Sequence, residues 1–480
     1  MIFKKAKWTI DKAILILAFG SFVLISFTFL LMDLLGHNVS MHFNTSALFF
    51  FFISTLSILF VSLQNNAFAF ILSLSLTLAF SQRIVILYLF PDQLEFTSKL
   101  DFSVMEISNS LLFYSSSVLS LLVGCLLARF FPKIRFSLTN TKVQEKSVIN
   151  FFFLRLKTEY FFNIIIVTYV ATVLFKFFII LVFGIGLTGS IHTSDQSLYH
   201  WISSRSGILN GYALFCLIVL YNYGYQKRMR GIIILYVLEN LLMASRSFLF
   251  SMIEIFANAY YLLEIRIKTK QIILSSIVTL LFAGFIYIAL TVLRGYLLTG
   301  EVYFTNLNPL FSISSQFGSF DELLLWMDMP AMLYEKSIGF IPDMKLFINS
   351  FTIGEFFPMP EQVNLGKLMV AYGRNADFDI FALGGHAENA GAFATTYIYV
   401  GFFGGVLYWF LLGLGLTLLV KSNLHLFWKY AFILTFGYGP GYAFWATFMG
   451  LIQPLALIGF VLLLSQMYKT MLAFLVKIKD

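Results

Sequence analysis

Charge is what this chain lacks most. Of its 480 residues only 12% are Asp, Glu, Lys or Arg, while 59% are hydrophobic. The mean hydropathy is +0.85. A soluble fold cannot hide that much apolar surface, so the balance excludes a soluble globular protein and implies a polytopic membrane protein. The two-residue alternation of short segments that a transmembrane barrel requires is also missing, which leaves helices. Cysteine is nearly absent. Cys125 and Cys216 both lie in apolar runs, read as packing residues, and say little about redox compartment. There are no internal repeats, no low-complexity tract and no detachable soluble domain. What is present is a series of apolar runs of roughly 18 to 25 residues along nearly the whole length, more than a single anchor needs.

Hydropathy and polar breaks predict an all-α polytopic membrane protein of about twelve transmembrane helices. Their positions are near 13–35, 46–63, 66–90, 104–130, 160–187, 207–225, 231–245, 247–264, 271–293, 389–420, 428–447 and 450–469. The basic start MIFKKAKWTIDK resembles a signal-peptide n-region, but the apolar part, Ala13–Leu35, is too long and lacks a small-residue cleavage site. It reads as a retained first helix. Lys4, Lys5, Lys7 and Lys12, the connections 133–157, 227–230, 266–270 and 421–429, and the tail 469–479 are all basic. With twelve spans they fall on one side, which places both termini in the cytoplasm.

The opposite side carries one long segment, Gly295–Glu388, which divides the chain into 1–294, 295–388 and 389–480. This loop has eleven acids against four bases, a net of −7; with +8 for the whole chain, the remainder carries +15. The basic balance is therefore membrane orientation and not nucleic-acid binding. Five of the nine prolines lie in the loop. Phe320–Leu333 and Met344–Phe351 read as short amphipathic helices suited to lying on the outer membrane surface.

Positive charge on the outer face runs against the orientation bias, so each arginine there asks for a reason. Arg246, in LLMASRSFLF, and Arg294, in IALTVLRGY, sit at helix ends; Arg374 and Arg205 lie on the same side. A guanidinium matches phosphate oxygens two at a time, and two or three of them near a membrane surface suit a lipid pyrophosphate. The plainer role is a headgroup anchor or a partner for a loop carboxylate. His386, Glu388 and Asn389 stand at the entry to the tenth span; Glu388 and Asn389 would also serve as a helix cap. Asp377-x-Asp379 is the nearest thing to a metal motif, and neither a metal nor a cofactor is expected. Lys176 and Glu239 lie within apolar runs. Glu239, about two turns before Arg246, suits a supporting role, and Lys176 suits a carboxylate partner or snorkelling.

The segments MASRSFLF, LTVLRGY, the long outer loop and GGHAENAGAFATTYIYVGFFGG together resemble the bacterial O-antigen polymerases, the oligosaccharide repeat unit polymerases, and the related O-antigen ligases. The likeness covers roughly residues 200–420. In that group a segment ending in a G-x-x-G helix, here Gly401-Phe-Phe-Gly404, returns the chain into the membrane. Ligases place their histidine nearer the G-x-x-G pair than His386 lies, which favours the polymerase. The resemblance implies a GT-C-like glycosyltransferase of the bacterial inner membrane, with the long loop periplasmic. Its substrate would be an undecaprenyl-pyrophosphate-linked oligosaccharide. The lipid bilayer would be its other partner, and a chain-length regulator an optional further one. On that reading Arg246, Arg294 and Arg374 hold the pyrophosphate, His386 and Glu388 bind or deprotonate the acceptor, and Asp321 or Glu322 are alternative bases. Trp326, Tyr334 and Tyr372 are candidates for stacking on sugar rings. A ligase, or a transporter or flippase of lipid-linked oligosaccharide, are the competing functions.

Overall fold

A computed structural model describes residues 45–63, 82–89, 102–128, 130–132, 148–151, 154–183, 197–222, 226–242, 319–334, 365–373, 392–437 and 454–467, with single positions within 252–263, 289–292 and 341–348 and at 452 and 470. Nearly all of these are helical, as a bilayer demands of a chain that must satisfy its own backbone polar groups. The helices are α1 (Thr45–Leu63), α2 (Gln82–Leu89), α3 (Val104–Leu127), α4 (Thr158–Phe183), α5 (Ser197–Asn222), α6 (Gln226–Leu242), α7 (Ser319–Asp328), α8 (Ala331–Tyr334), α9 (Leu365–Gly373), α10 (Ala392–Lys421) and α11 (Leu426–Gly437). A further apolar helix, α12, spans Pro454–Met467. Among the described residues, three stretches are long and apolar enough to cross a membrane: Val104–Leu127, Thr158–Val182 and Phe393–Lys421. The chain is accordingly a mostly helical membrane protein. The expected spans 13–35 and, apart from residues 289 and 292, 271–293 lie outside the described residues.

Local signals set several boundaries. α3 begins at a capping box: the Glu106 N–H donates to Ser103 Oγ (3.3 Å), and the Ser103 N–H donates to Glu106 Oε2 (2.7 Å). α5 starts at Ser197, well before the hydropathy rise near 207. The all-α expectation needs one correction. Val148–Phe151 (β1) and Leu154–Lys157 (β2) form an antiparallel hairpin in the basic connection before α4. Its alternation puts Ile149, Phe151 and Leu156 inside, and Phe151 stacks on Trp428 of α11.

The helices pack around two cores. The first joins α1, α2, α3, α7, α9 and α10 through side chains such as Phe51, Ile84, Tyr114, Trp326, Met369 and Trp409. The second joins the hairpin to α4, α5, α6, α11 and α12 through Ile149, Phe161, Tyr212, Tyr236, Phe427 and Ile458. In the second, Phe215 and Tyr430 stack at 3.8 Å, and the Tyr430 hydroxyl donates to the Gly211 carbonyl (3.0 Å).

In the first core α3 and α10 run parallel, since their contacts advance together: Phe113 with Gly405, Leu121 with Gly413, Ala128 with Lys421. Small residues allow the close approach. A Cβ at Gly124 would stand 2.2 Å from the Phe410 carbonyl oxygen, and one at Gly413 would stand 2.2 Å from that of Leu121. Ser120 Oγ also donates to the Val406 carbonyl (2.8 Å).

α10 is not one straight span. At Gly401 the backbone takes φ 67° and ψ −169°, in the region that favours glycine. The arms 392–400 and 402–421 fold against each other there. Phe393 stacks on Trp409 with ring centroids 4.6 Å apart, and Thr396 lies against Gly405. Sixteen residues of straight helix would separate the first pair by about 24 Å.

Candidate functional site

The segment that brings the loop to the bundle is α7, SFDELLLWMD. Its two acids in the first turn suit the positive end of a helix, and it stops before Pro330. The sequence marks it as a surface-lying amphipathic helix, and the structure corrects that. Phe320, Asp321, Leu323, Leu324, Leu325, Trp326 and Met329 are all buried, with α3, α9 and α10 packed against the helix. Trp326 is therefore a packing residue of the core, not a platform for a sugar ring. Its indole has no water-facing surface to offer.

One end of α7 is pinned by an ion pair. Arg83 of α2 donates from Nε to Asp321 Oδ1 (3.0 Å) and from Nη2 to Oδ2 (2.8 Å), and both side chains are fully out of solvent. This two-pronged geometry is the strong form of the contact, and leaving either partner alone in the interior is costly. Asp321 is thereby removed from the candidate bases, because both of its oxygens are held by a permanent cation. Arg83, which hydropathy alone leaves as a stray charge in an apolar run, is the loop's anchor.

The other end carries a second constellation. Tyr372 of α9 donates its hydroxyl to Asp328 Oδ2 (2.8 Å). Glu106, at the start of α3, is close enough to act on Asp328 electrostatically. Glu106 also accepts the Ser103 hydroxyl (2.8 Å). Burial raises Asp328 above the ordinary carboxylic range; the Tyr372 hydrogen bond pulls the other way, and Glu106 pushes it further up. Burial, with Asp328 beside it, pushes the Tyr372 hydroxyl up to about 12. Tyr372 is thus occupied by a carboxylic partner.

Lys176 and Glu239 do pair. Lys176 Nζ lies 3.0 Å from Glu239 Oε1, and the Tyr169 hydroxyl donates to Oε2 (2.7 Å), all buried between α4 and α6.

Near the hairpin, His425 precedes α11. Its Nδ1 accepts the Phe427 N–H (3.2 Å), so Nε2 carries the proton toward Thr158 Oγ1 (3.2 Å). Burial, and then Lys429, lower its pKa to about 4.

Arg246, Arg294, Arg374, His386 and Glu388 lie outside the described residues, as do Asn389 and the Asp377-x-Asp379 pair. So do the side chains of Arg205 and Tyr334. Among the described residues no group of three or more His, Cys, Asp or Glu is placed to hold a metal ion. What the structure does fix is the frame around 374–391. The preceding helix, α9, and the following one, α10, both pack on α7. Sequence reasoning missed the anchors of that frame. The capping box Ser103-x-x-Glu106 was readable, and a lone arginine in an apolar run was a signal that a distant acid must meet it. No protein-family profile, curated protein or solved structure matches this chain.

Proposed function

We propose that the chain is a membrane glycosyltransferase that polymerises undecaprenyl-pyrophosphate-linked oligosaccharide repeat units on the periplasmic face, within a twelve-span topology. The observation that carries this reading is the fastening of the outer loop into the bundle through α7. The segment holding Arg374, His386 and Glu388 thereby starts and ends beside one fixed helix. The parallel course of α3 and α10 supports the topology, since both are even-numbered spans in the twelve-helix count. The break at Gly401 supports a chain that turns back where the resemblance expects it to.

The chemistry is a displacement at the anomeric carbon. The C1–O bond to the pyrophosphate breaks as the acceptor oxygen bonds to C1. The hydroxyl proton passes to a base, and the lipid pyrophosphate leaves with the electron pair. Guanidinium groups of Arg246, Arg294 and Arg374 would stabilise that departing charge without a metal. With Asp321 taken by Arg83, Glu388, His386 and Glu322 remain the choices for base. A single displacement inverts the anomeric centre.

A transporter or flippase is the second reading, favoured by the Lys176–Glu239–Tyr169 group inside apolar helices and by the broken α10. The glycan profile of a deletion strain separates the functions. Single-repeat products support the polymerase, polymer left on the carrier lipid identifies a ligase, and loss of all outward glycan identifies a flippase. Complementation with Arg246→Ala or Arg294→Ala should restore protein and no polymer; full-length glycan from either variant overturns the pyrophosphate assignment.

A further inference from the structure

The end of the bundle where α4 begins carries a charged surface that the pyrophosphate chemistry does not use. Ile149, Phe151 and Leu156 bury the inner face of the β1–β2 hairpin in the second core. The alternation of β2 turns Arg155 and Lys157 the other way, and both are exposed. Two such positions on one strand lie about 7 Å apart on the same side. The register sets Val148 opposite Lys157 and Asn150 opposite Arg155, so no acid faces either base across the ladder. Glu159 is the nearest acid in sequence. It is exposed in the first turn of α4, where the positive helix end suits it.

The depth of this face in the membrane follows from its neighbours. Lys157 is followed directly by Thr158–Val182, a stretch long and apolar enough to cross a bilayer. The Tyr160 hydroxyl meets Ser465 Oγ (2.6 Å), which sets α12 beside the start of α4. At that level α12 still turns apolar side chains outward: Leu464 is 49% exposed, and Met467, just past Ser465, is 68% exposed. Hydrocarbon-facing surface therefore runs up to the level of Tyr160, three residues after Lys157. Basic side chains that begin where such surface ends stand among the lipid headgroups. Tyr160 and Trp428, both half-buried, lie at the same boundary, as the aromatic belts of membrane proteins do. Trp428 also fixes the hairpin: its indole N–H donates to the Asn150 carbonyl (3.3 Å), and its ring stacks on Phe151.

We propose that the outer face of the hairpin is a binding site for anionic phospholipid headgroups, in which Arg155 and Lys157 take phosphate groups of the leaflet at whose surface α4 begins.

The guanidinium meets two phosphate oxygens at once, and the ammonium acts as a point charge beside it. The ladder already holds both on one side, so binding orders only their side chains and not the backbone. A protein partner would need an apolar centre to the contact, and Val148 is the only apolar residue that the ladder sets across from the two bases. Because the inner face of the same hairpin is packed in the core with α4 and α11, a bound headgroup ties that corner of the bundle to the membrane surface. The site does not depend on the glycosyltransferase reading.

Hydrogen exchange on the full chain tests this, in nanodiscs of phosphatidylcholine alone and of phosphatidylcholine mixed with phosphatidylglycerol. The amides of Val148–Phe151 and Leu154–Lys157 are the reporters. Their protection should be greater in the anionic lipid by about fivefold for each base that engages a phosphate, the equivalent of about 1 kcal/mol apiece. Added salt should shrink the gain. Arg155→Gln and Lys157→Gln should each remove one step, and the double variant both. Exchanging the two bases, Arg155→Lys with Lys157→Arg, should keep the gain. A charged surface slows exchange generally, but it does so in the double variant too, so the difference between the two proteins belongs to the site. The single variants decide alone if the double variant does not fold. Inorganic phosphate added to phosphatidylcholine nanodiscs should give no gain; a gain equal to that from phosphatidylglycerol would identify a free-anion site and overturn the lipid assignment. Equal protection in the two lipids, or a gain that survives in the Gln variants, overturns the site altogether.

Discussion

Among the described residues, each core keeps an ion pair out of water, and the two pairs are built differently. In the first core Arg83 grips Asp321 with both prongs of a planar fork, joining an apolar run to a loop helix 238 residues away. In the second, Lys176 meets Glu239 as a point charge, 63 residues away, and Tyr169 satisfies the remaining carboxylate oxygen. One pair holds α7 inside the bundle. The other links α4 to α6. The same chemistry thus fixes position in one region and register in the other.

That contrast can be broken most sharply at the pairs themselves. Asp321→Ala leaves Arg83 buried and alone, and Glu239→Ala does the same to Lys176; each should cost about 3–5 kcal/mol. The regions should respond separately. In limited proteolysis Asp321→Ala should expose α7 and leave α4 and α6 protected, while Glu239→Ala should do the reverse. Either variant loosening both regions equally would show that the cores are not independent. The exchanged pair Arg83→Asp with Asp321→Arg should recover part of the loss.

A pH titration acts on the second core next. His425 is held neutral, with a pKa near 4 against the ordinary 6.5. An unfolded chain binds the proton first as pH falls, so the stability the buried ring contributes is whole above pH 6.5 and is lost progressively toward pH 4, a span worth roughly 3 kcal/mol. His425→Asn should flatten that part of the curve in thermal unfolding of the purified protein. An unchanged acid limb would show that the neutral His425 ring does not hold α4 to α11.

Glycines of the first core give the smallest graded test. Gly124→Ala and Gly413→Ala drive a methyl into backbone carbonyls and should cost about 1–3 kcal/mol as α3 and α10 separate. Gly415→Ala has nothing within 4 Å of the new methyl and should be neutral or gain up to about 1 kcal/mol. Thermal unfolding in detergent ranks the three; equal losses would mean that close approach is not what those glycines serve.

The parts of the fold that sequence reasoning located are the ones governed by a single run. Thr45–Leu63, Val104–Leu127 and Thr158–Phe183 fall where hydropathy puts spans near 46–63, 104–130 and 160–187, because a lipid-facing helix declares itself by length and apolarity alone. α7 was located but assigned to the wrong environment. Its amphipathic pattern is the same whether the polar side meets water or meets Arg83. The hairpin went unread because four-residue strands in a basic connection leave too short a period to recognise. Of the candidate site, the pairing of Lys176 with a carboxylate was open to sequence reasoning, while the loss of Asp321 as a base was not.

Composition by itself determined that this protein lives in a membrane, that it is built of helices, and roughly where several of them begin and end. These follow from the free energy of moving local stretches of chain out of water, and no partner need be known. Tertiary structure decided which charges meet, where α10 doubles back at Gly401, and that the loop helix is an internal element. Those depend on contacts between residues hundreds of positions apart, where the cost of an unpaired charge is set by a neighbour that the local sequence does not name.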